Sequence, residues 1–383
     1  MANDKMQTEL TFDLDLALRE QTALVAPEEL FLVCDENVSS HCLPVVQQTL
    51  SLPADNILVL PSGEDTKTLS TVEHIWRFLV VHHATRHSML ICLGGGVITD
   101  MGGFAAATYM RGIQCLNIPT TLLGMVDASA GGKTGIDFDG IKNLVGVFCM
   151  PKHTIIYPPF LSTLPPREFL SGWAEMVKHT LIASPLQVAA LRAFDLHGWF
   201  AGGQKDKAAE EEQLADLISR SIEVKNYVVE SDPDEKGMRQ TLNFGHTVGH
   251  ALEALFLQKQ QNTTAGSALM AADSGGEAHS RTLPHGYAVM YGMVAELYLS
   301  HLLYDFPEKD ILPIVEMMKE YYGKPVCPCS DYSVLLELMR HDKKNIGAGQ
   351  ITFTLLHSIG NYRLGCTCSD EQICEALDFL FNC

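Results

Sequence analysis

Ser88-Met-Leu-Ile-Cys-Leu-Gly-Gly-Gly-Val-Ile-Thr-Asp100 is an apolar run that ends in three glycines and passes into a segment with helical spacing. A continuous apolar run of this length suits a parallel strand buried on both faces. A strand that turns through glycines into a helix near Thr99-Asp100 aims backbone N–H groups and a helix N-terminus at an anion, and the pyrophosphate of a dinucleotide is the natural guest. The spacing is not G-x-G-x-x-G, so on the glycines alone a plain tight turn after a buried strand is an equal reading.

Working outward, residues 30–34, 56–60 and 114–118 are further short apolar runs, each followed by polar, Gly or Pro residues, and helix-like spacing covers 69–83 and 99–109. This alternation predicts a Rossmann-like, doubly wound α/β domain over residues 1–165. From Pro166 onward the apolar spacing at 208–230, 247–256, 288–304 and 311–322 is helical, and 351–357 is the main strand candidate. A mostly helical domain over 166–383 is expected, interrupted at 258–283 by a Gln-, Ser-, Thr-, Ala- and Gly-rich stretch that reads as an exposed insertion.

A chain of 383 residues exceeds what one compact core usually serves, which agrees with two domains. Its 27 basic and 46 acidic residues give a net charge of −19, which argues against nucleic acid or an anionic membrane as partner. Nowhere do 18 apolar residues run together, and no basic cluster precedes an apolar core near Met1, so a chain that is neither exported nor membrane-spanning is expected. Eleven cysteines, an odd number in apolar contexts with C-x-C spacing at Cys327/Cys329 and Cys366/Cys368, read as reduced cytoplasmic thiols.

Three separated segments carry chemistry: Trp173-Ala-Glu-Met-Val-Lys178, Asn243-Phe-Gly-His-Thr-Val-Gly-His250 and Leu283-Pro-His-Gly286. Together they offer a carboxylate and two imidazoles, a donor set that binds Zn²⁺ and leaves a position open to polarise a substrate oxygen. On a helix Glu175 and Lys178 share a face, as do Asn243, His246 and His250. Taken singly, each segment reads as well as an ordinary surface pair, satisfied helix histidines or a solvent-facing loop histidine. Gly131-Gly-Lys-Thr134 invites a P-loop reading, but position 127 is Asp where that motif needs glycine, and the P-loop is rejected. Arg111, Lys133, Lys142, Lys178, Lys225, Arg239, Lys343 and Lys344 cluster in turns or beside the metal candidates and suggest an anion pocket, although Lys225 and Arg239 also fit solvated helix faces.

Gly94 to Asp100, Tyr109-Met-Arg-Gly112, Pro119-Thr-Thr-Leu-Leu123, Val126-Asp-Ala-Ser129, Gly131 to Thr134, Lys142-Asn143, Leu164-Pro-Pro-Arg-Glu168, Trp173 to Lys178, Arg239 to His250, His285-Gly286 and Asp342-Lys-Lys344 follow one another as in 3-dehydroquinate synthases, and the chain resembles that family over residues 30–360. The resemblance implies a homodimeric lyase of the shikimate pathway, within the sugar phosphate cyclase superfamily. It would depend on NAD and on Zn²⁺ or another divalent ion such as Co²⁺, and would convert the anionic sugar phosphate 3-deoxy-arabino-heptulosonate 7-phosphate to 3-dehydroquinate and phosphate. It also implies Glu175, His246 and His285 as metal ligands. Asp35, Asn37, Glu64, Lys67, Gly95, Gly96, Asp100, Thr120, Thr121, Asp127, Lys142, Thr163 and Glu168 would surround the dinucleotide. Lys133, Asn143, Lys178, Lys225, Arg239, Asn243, His250 and Lys343 or Lys344 would face the substrate, and Arg111 would reach its phosphate across the dimer.

Two features depart from the family pattern. Tyr287 stands where the family usually has Glu, removing a negative charge beside His285, and the 258–283 stretch is long. Other sugar phosphate cyclases and the metal-dependent polyol or glycerol-phosphate dehydrogenases share the fold and are the rival readings. The charge that Lys225 and Arg239 supply would favour an acid substrate over a neutral one. A binding or scaffolding protein on this fold is the non-enzyme alternative.

Overall fold

The computed structural model describes residues 7–128, 131–139, 141–202, 207–262, 283–341 and 350–383. Lys343, Lys344 and most of the 258–283 stretch lie outside these residues, while Gln258 to Asn262 continue the helix that starts at His246. The strands are β1 (Thr8–Leu10), β2 (Leu30–Asp35), β3 (Ile57–Leu60), β4 (Met89–Gly94), β5 (Gln114–Pro119), β6 (Lys133–Phe138), β7 (Ile141–Phe148), β8 (His153–Ile156), β9 (Thr352–Ser358) and β10 (Asn361–Thr367).

The chain divides into one compact unit of residues 1–172 and 195–226 and a second of 173–194 and 227–383. In the first, six parallel strands form a sheet in the order β1-β8-β5-β4-β2-β3. The chain leaves β2 for β3 on one side and returns to β4 on the other, so the strand order reverses between β2 and β4. Every residue of β4 is buried, which is why it reads as an unbroken apolar run. The helix Gly96–Thr108 starts three residues before the expected Thr99, because Gly95 supplies an extended N-cap directly after the strand. Gly102 lets this helix lie against β4: a Cβ there would stand 2.3 Å from Cys92 Sγ.

Lys133 opens the antiparallel β6–β7 hairpin, a context that supplies no strand-to-helix phosphate loop. All eight residues of β7 are exposed, Ile141, Leu144, Val145, Val147 and Phe148 among them.

The second unit is helical, with the two-stranded β9–β10 sheet as its strand component. The helix His285–Tyr304 is buried nearly all round and so carries little amphipathic signal. The fold is thus a Rossmann-like α/β unit with a mostly helical unit, and among the described residues no helix is long and apolar enough to cross a membrane. None of the eleven cysteines is in a disulfide.

Candidate functional site

In open parallel sheets, ligands sit beyond the carboxyl ends of the strands near the point where strand order reverses. The residues that end or follow β2 to β5 lie there. Asp35 closes β2 and caps the helix Glu36–His41, which carries Asn37, by accepting the Val38 N–H at 3.0 Å. Glu64 and Lys67 follow β3, Gly95 and Gly96 follow β4, and Thr120 and Thr121 follow β5. The Thr120 N–H donates to Gly94 O at 3.0 Å, and a Cβ on Gly95 would stand 3.0 Å from Thr121 Cγ2, so a side chain at 95 would require Thr121 to give way by a few tenths of an ångström.

Lys67 is buried, and its ammonium donates to Asp100 Oδ2 and to Asn143 Oδ1, each at 2.6 Å. Burial alone would lower its pKa, yet Asp100 and Glu64 hold it above the usual lysine value. Asn143 is fixed by its positive φ of 50° and by its N–H on Asp137 Oδ1 at 2.7 Å. Two residues implied for the dinucleotide thus meet one implied for the substrate. Lys225 is also buried and pairs with the carboxylate of Asp127, which excludes a solvated helix face for it. Lys133 and Lys142 lie exposed on the hairpin, and Thr163 ends the turn Pro158–Thr163. Burial pushes the Glu168 carboxyl up. Met110 and Arg111 are exposed with φ of 48° and 67°, followed by Gly112 at 115°. Two successive non-glycine residues in this region cost about 1–3 kcal/mol each, a strain that collects at functional positions.

In the second unit, Glu175 and Lys178 are both fully buried on one face of the helix Pro166–Ala183, and the Lys178 ammonium pairs with Glu175 Oε2. Among the described residues, Glu175 Oε1 is buried without a hydrogen-bond partner. His246 Nε2 stands 3.6 Å from it and His285 Nε2 3.4 Å. The other nitrogen of each imidazole is held, His246 Nδ1 by Phe244 O at 3.1 Å and His285 Nδ1 by Glu253 Oε1 at 3.3 Å. The ligand atoms of Glu175, His246 and His285 lie within 4.8 Å of one another, and this buried carboxylate facing two oriented imidazoles fits a zinc ion with an open position.

The histidines meet because two helices cross backbone to backbone. A Cβ on Gly292 would stand 1.9 Å from Gly245 O and 2.9 Å from Gly249 N, so glycine at these positions brings His246 and His250 to the start of the helix His285–Tyr304. The His246 ring centroid lies 5.2 Å from that of His250 and 5.3 Å from that of His285.

Asn243 does not share a helix with these histidines. It ends the 3-10 segment Met238–Asn243, and Gly245, at φ 80°, turns the chain before the helix His246–Asn262 begins. The buried carboxylate of Glu296 holds that turn by accepting the Gly245 N–H at 2.7 Å. Arg239 is buried, with its guanidinium on Pro233 O at 3.1 Å, which excludes a solvated face for it as well. Tyr287 turns its ring to Tyr322, centroids 4.9 Å apart, and Glu253 is the carboxylate at His285. Glu253 and Glu296 escape a reading by motif, although Glu253, three residues after His250 and seven after His246, lies on the face that those histidines define.

Burial would raise the Glu175 pKa, yet Lys178, with His285 and His246, holds it well below the usual carboxylate range. Burial would lower that of His285, but Glu253 and Glu175 push it up to about 10. At neutral pH the carboxylate is therefore already ionised, while His285 carries a proton that a metal bound at its ring would have to displace. The expected result is zinc affinity that rises about tenfold per pH unit between pH 6 and 9, with about one proton released per ion bound. Zinc titrations in buffers of different ionisation enthalpy measure that release, and a pH-independent affinity would contradict it.

The sequence matches the family described as 3-dehydroquinate synthase N-terminal over residues 57–171 and that described as 3-dehydroquinate synthase C-terminal over 172–272 and 275–345. The 3-dehydroquinate synthase of Parabacteroides distasonis is 42% identical over 96% of this chain and 95% of its own length. That of Thermosynechococcus vestitus is 36% identical over 95% and 92%. Among solved structures, 2-epi-5-epi-valiolone synthase from Streptomyces hygroscopicus with NAD⁺ and Zn²⁺ bound aligns with a TM-score of 0.79 at 23% identity, covering 99% of this chain and 98% of the other. 2-Deoxy-scyllo-inosose synthase complexed with carbaglucose-6-phosphate, NAD⁺ and Co²⁺ aligns at 0.73 and 22%, covering 97% and 95%. At these identities the structural likeness is one of fold, whereas the sequence matches run through nearly the whole chain. On those matches the chain belongs to the 3-dehydroquinate synthase family.

Proposed function

We propose that this chain converts 3-deoxy-arabino-heptulosonate 7-phosphate to 3-dehydroquinate and phosphate, with no net oxidation of the substrate. The family match over residues 57–345 carries the reading, and the buried carboxylate facing two imidazoles supplies a metal site consistent with it. When bound, NAD supplies reversible two-electron oxidation of a ring alcohol and Zn²⁺ supplies Lewis acidity at its oxygen. The residues proposed for the zinc are Glu175, His246 and His285, and those proposed for NAD are the strand-end set from Asp35 to Thr121 with Asp127, Lys142, Thr163 and Glu168.

In the second unit Lys178 places an ammonium beside the metal ligands, where it stabilises negative charge developing on a substrate oxygen. Its present bond to Glu175 keeps that ammonium oriented in a buried setting. Arg239 and Asn243 are proposed for the substrate's anionic and hydroxyl groups, and His250 for holding a proton near the ligand histidines. In the first unit Lys133, Asn143 and Lys225 are the proposed substrate contacts, and Lys343 or Lys344 completes the set. Loss of phosphate requires removal of a proton from the carbon beside the oxidised centre, and fixed cations stabilise both the resulting anion and the departing phosphate. Buried cations at Lys225 and Arg239 suit an acid substrate better than a neutral sugar phosphate.

A homodimer is part of the proposal. The edge strand β7 exposes Ile141, Leu144, Val145, Val147 and Phe148 along its length, an arrangement that invites pairing with a second copy. Arg111, on its strained turn, is the residue proposed to cross to the partner's substrate phosphate. A cytoplasmic setting accords with eleven cysteines and no disulfide.

One assay tests the reaction: phosphate release from the heptulosonate with catalytic NAD and Zn²⁺, followed together with NADH absorbance. Many turnovers of phosphate without net NADH are expected, whereas stoichiometric NADH would identify a dehydrogenase and sink the proposal. Val145→Lys is expected to yield monomers by sedimentation with activity reduced about tenfold or more, since an unpaired lysine in an apolar interface opposes association. A fully active monomer would remove the dimer from the mechanism.

A further inference from the structure

Glu253 has no role in the chemistry described so far, yet its carboxylate lies against a proposed metal ligand. It sits on the helix His246–Asn262, one turn beyond His250, and its Oε1 is 3.3 Å from His285 Nδ1. The opposite nitrogen of the same ring, Nε2, is the one 3.4 Å from Glu175 Oε1. An imidazole has two nitrogens, and fixing the proton on one presents the other as a lone pair. Pro284 and the helix start hold the His285 backbone but leave its ring free to turn about χ1 and χ2.

We propose that Glu253 is a positioning residue: it accepts the Nδ1 proton of His285 and so selects the tautomer and ring orientation that direct Nε2 at the metal. The inference rests on the reading of Glu175, His246 and His285 as the metal ligands. His250, Glu253 and His285 also lie close enough together to hold an ion of their own. His285 would then have to bind two ions through its two nitrogens and lose both ring protons. A carboxylate accepting the remaining N–H demands no such loss, and this geometry favours Glu253 as acceptor over Glu253 as ligand. The same helix carries His246, so one rigid element supplies one ligand and orients another.

The test uses the full-length chain stripped of metal, with Zn²⁺ titrated against a chromophoric chelator and Co²⁺ as a spectroscopic probe. Wild type is expected to bind one ion per chain. Glu253→Ala should bind zinc about 10- to 100-fold more weakly and show altered visible bands with Co²⁺. Glu253→Gln, whose amide oxygen still accepts the Nδ1 proton, should fall between the two. Equal affinity for wild type and Glu253→Ala overturns the inference. So does an affinity loss that follows a loss of thermal stability while the Co²⁺ bands stay unchanged, which would make Glu253 merely structural. Two ions per chain, the second lost in Glu253→Ala, would make it a ligand and overturn the inference too. A wild type that binds no ion refutes the underlying metal reading, which distinguishes that failure from failure of the positioning role.

Discussion

Glu175→Gln should leave a folded chain that no longer retains zinc through dialysis and turns over about a thousandfold or more slowly, because Lewis acidity contributes several kcal/mol to stabilising charge in a transition state. The amide keeps the shape of the carboxylate but gives up its charge. Glu175→Ala should do worse in a second respect. Lys178 is buried and pairs with Glu175, so truncation strands an ammonium away from water. Breaking a buried pair from one side costs about 3–5 kcal/mol, whereas replacing both partners by apolar groups is often close to neutral. Adding Lys178→Met to Glu175→Ala should therefore recover thermal stability and leave turnover abolished. Calorimetry with metal analysis separates the two effects. Retained zinc in Glu175→Gln would remove Glu175 from the ligand set, and an undiminished melting temperature in Glu175→Ala would mean that Lys178 finds another partner.

What could be read from the sequence follows from how each element is buried. β2, β4 and β5 lie inside a parallel sheet and are legible as short apolar runs, as is β3 at its edge, with bounds displaced by a residue or so. β1 has three residues of middling exposure and β8 opens on a histidine, so neither forms such a run. The β6–β7 hairpin is obscured for the opposite reason: β7 is exposed on both faces, which erases the alternation that marks a half-buried strand. Its return is what carries Asn143 to Lys67, 76 positions away in the chain, and no local spacing signals that meeting. β10, Asn361–Thr367, pairs with β9 through irregular register, and its Arg363 and Gly365 dilute the strand signal. Donor types and helix spacing made Glu175, His246 and His285 conspicuous. They did not reveal the break at Gly245 that takes Asn243 off the helix, since a positive φ at one glycine leaves no periodic trace. Glu253 was within reach of spacing alone.

Gly292→Ala is the substitution expected to do most harm for one added methyl group. The new Cβ would stand 1.9 Å from the carbonyl oxygen of Gly245, 2.8 Å from its carbon and 2.9 Å from Gly249 N, all backbone atoms that cannot swing aside. Relief requires the helix His285–Tyr304 to move away from the helix His246–Asn262. Alanine favours a helix over glycine by about 1 kcal/mol, but overpacking against backbone costs about 1–3 kcal/mol and more where nothing can yield, so the net effect should be destabilising. A loss of about 2 kcal/mol would lower the melting temperature by about 2–3 °C in a chain of this size. The larger consequence is at the metal. The separation that relieves the methyl group also draws His285 from His246, and a shift near 1 Å exceeds the tolerance of zinc coordination, about 0.2 Å in bond length. Zinc affinity should therefore fall further than the loss of stability alone accounts for. Parallel measurement of melting temperature and zinc dissociation constant for Gly292→Ala checks this, with Gly292→Ser as a second variant carrying the same Cβ. Wild-type values of both in either variant would mean that the glycine crossing does not set the spacing of the ligands.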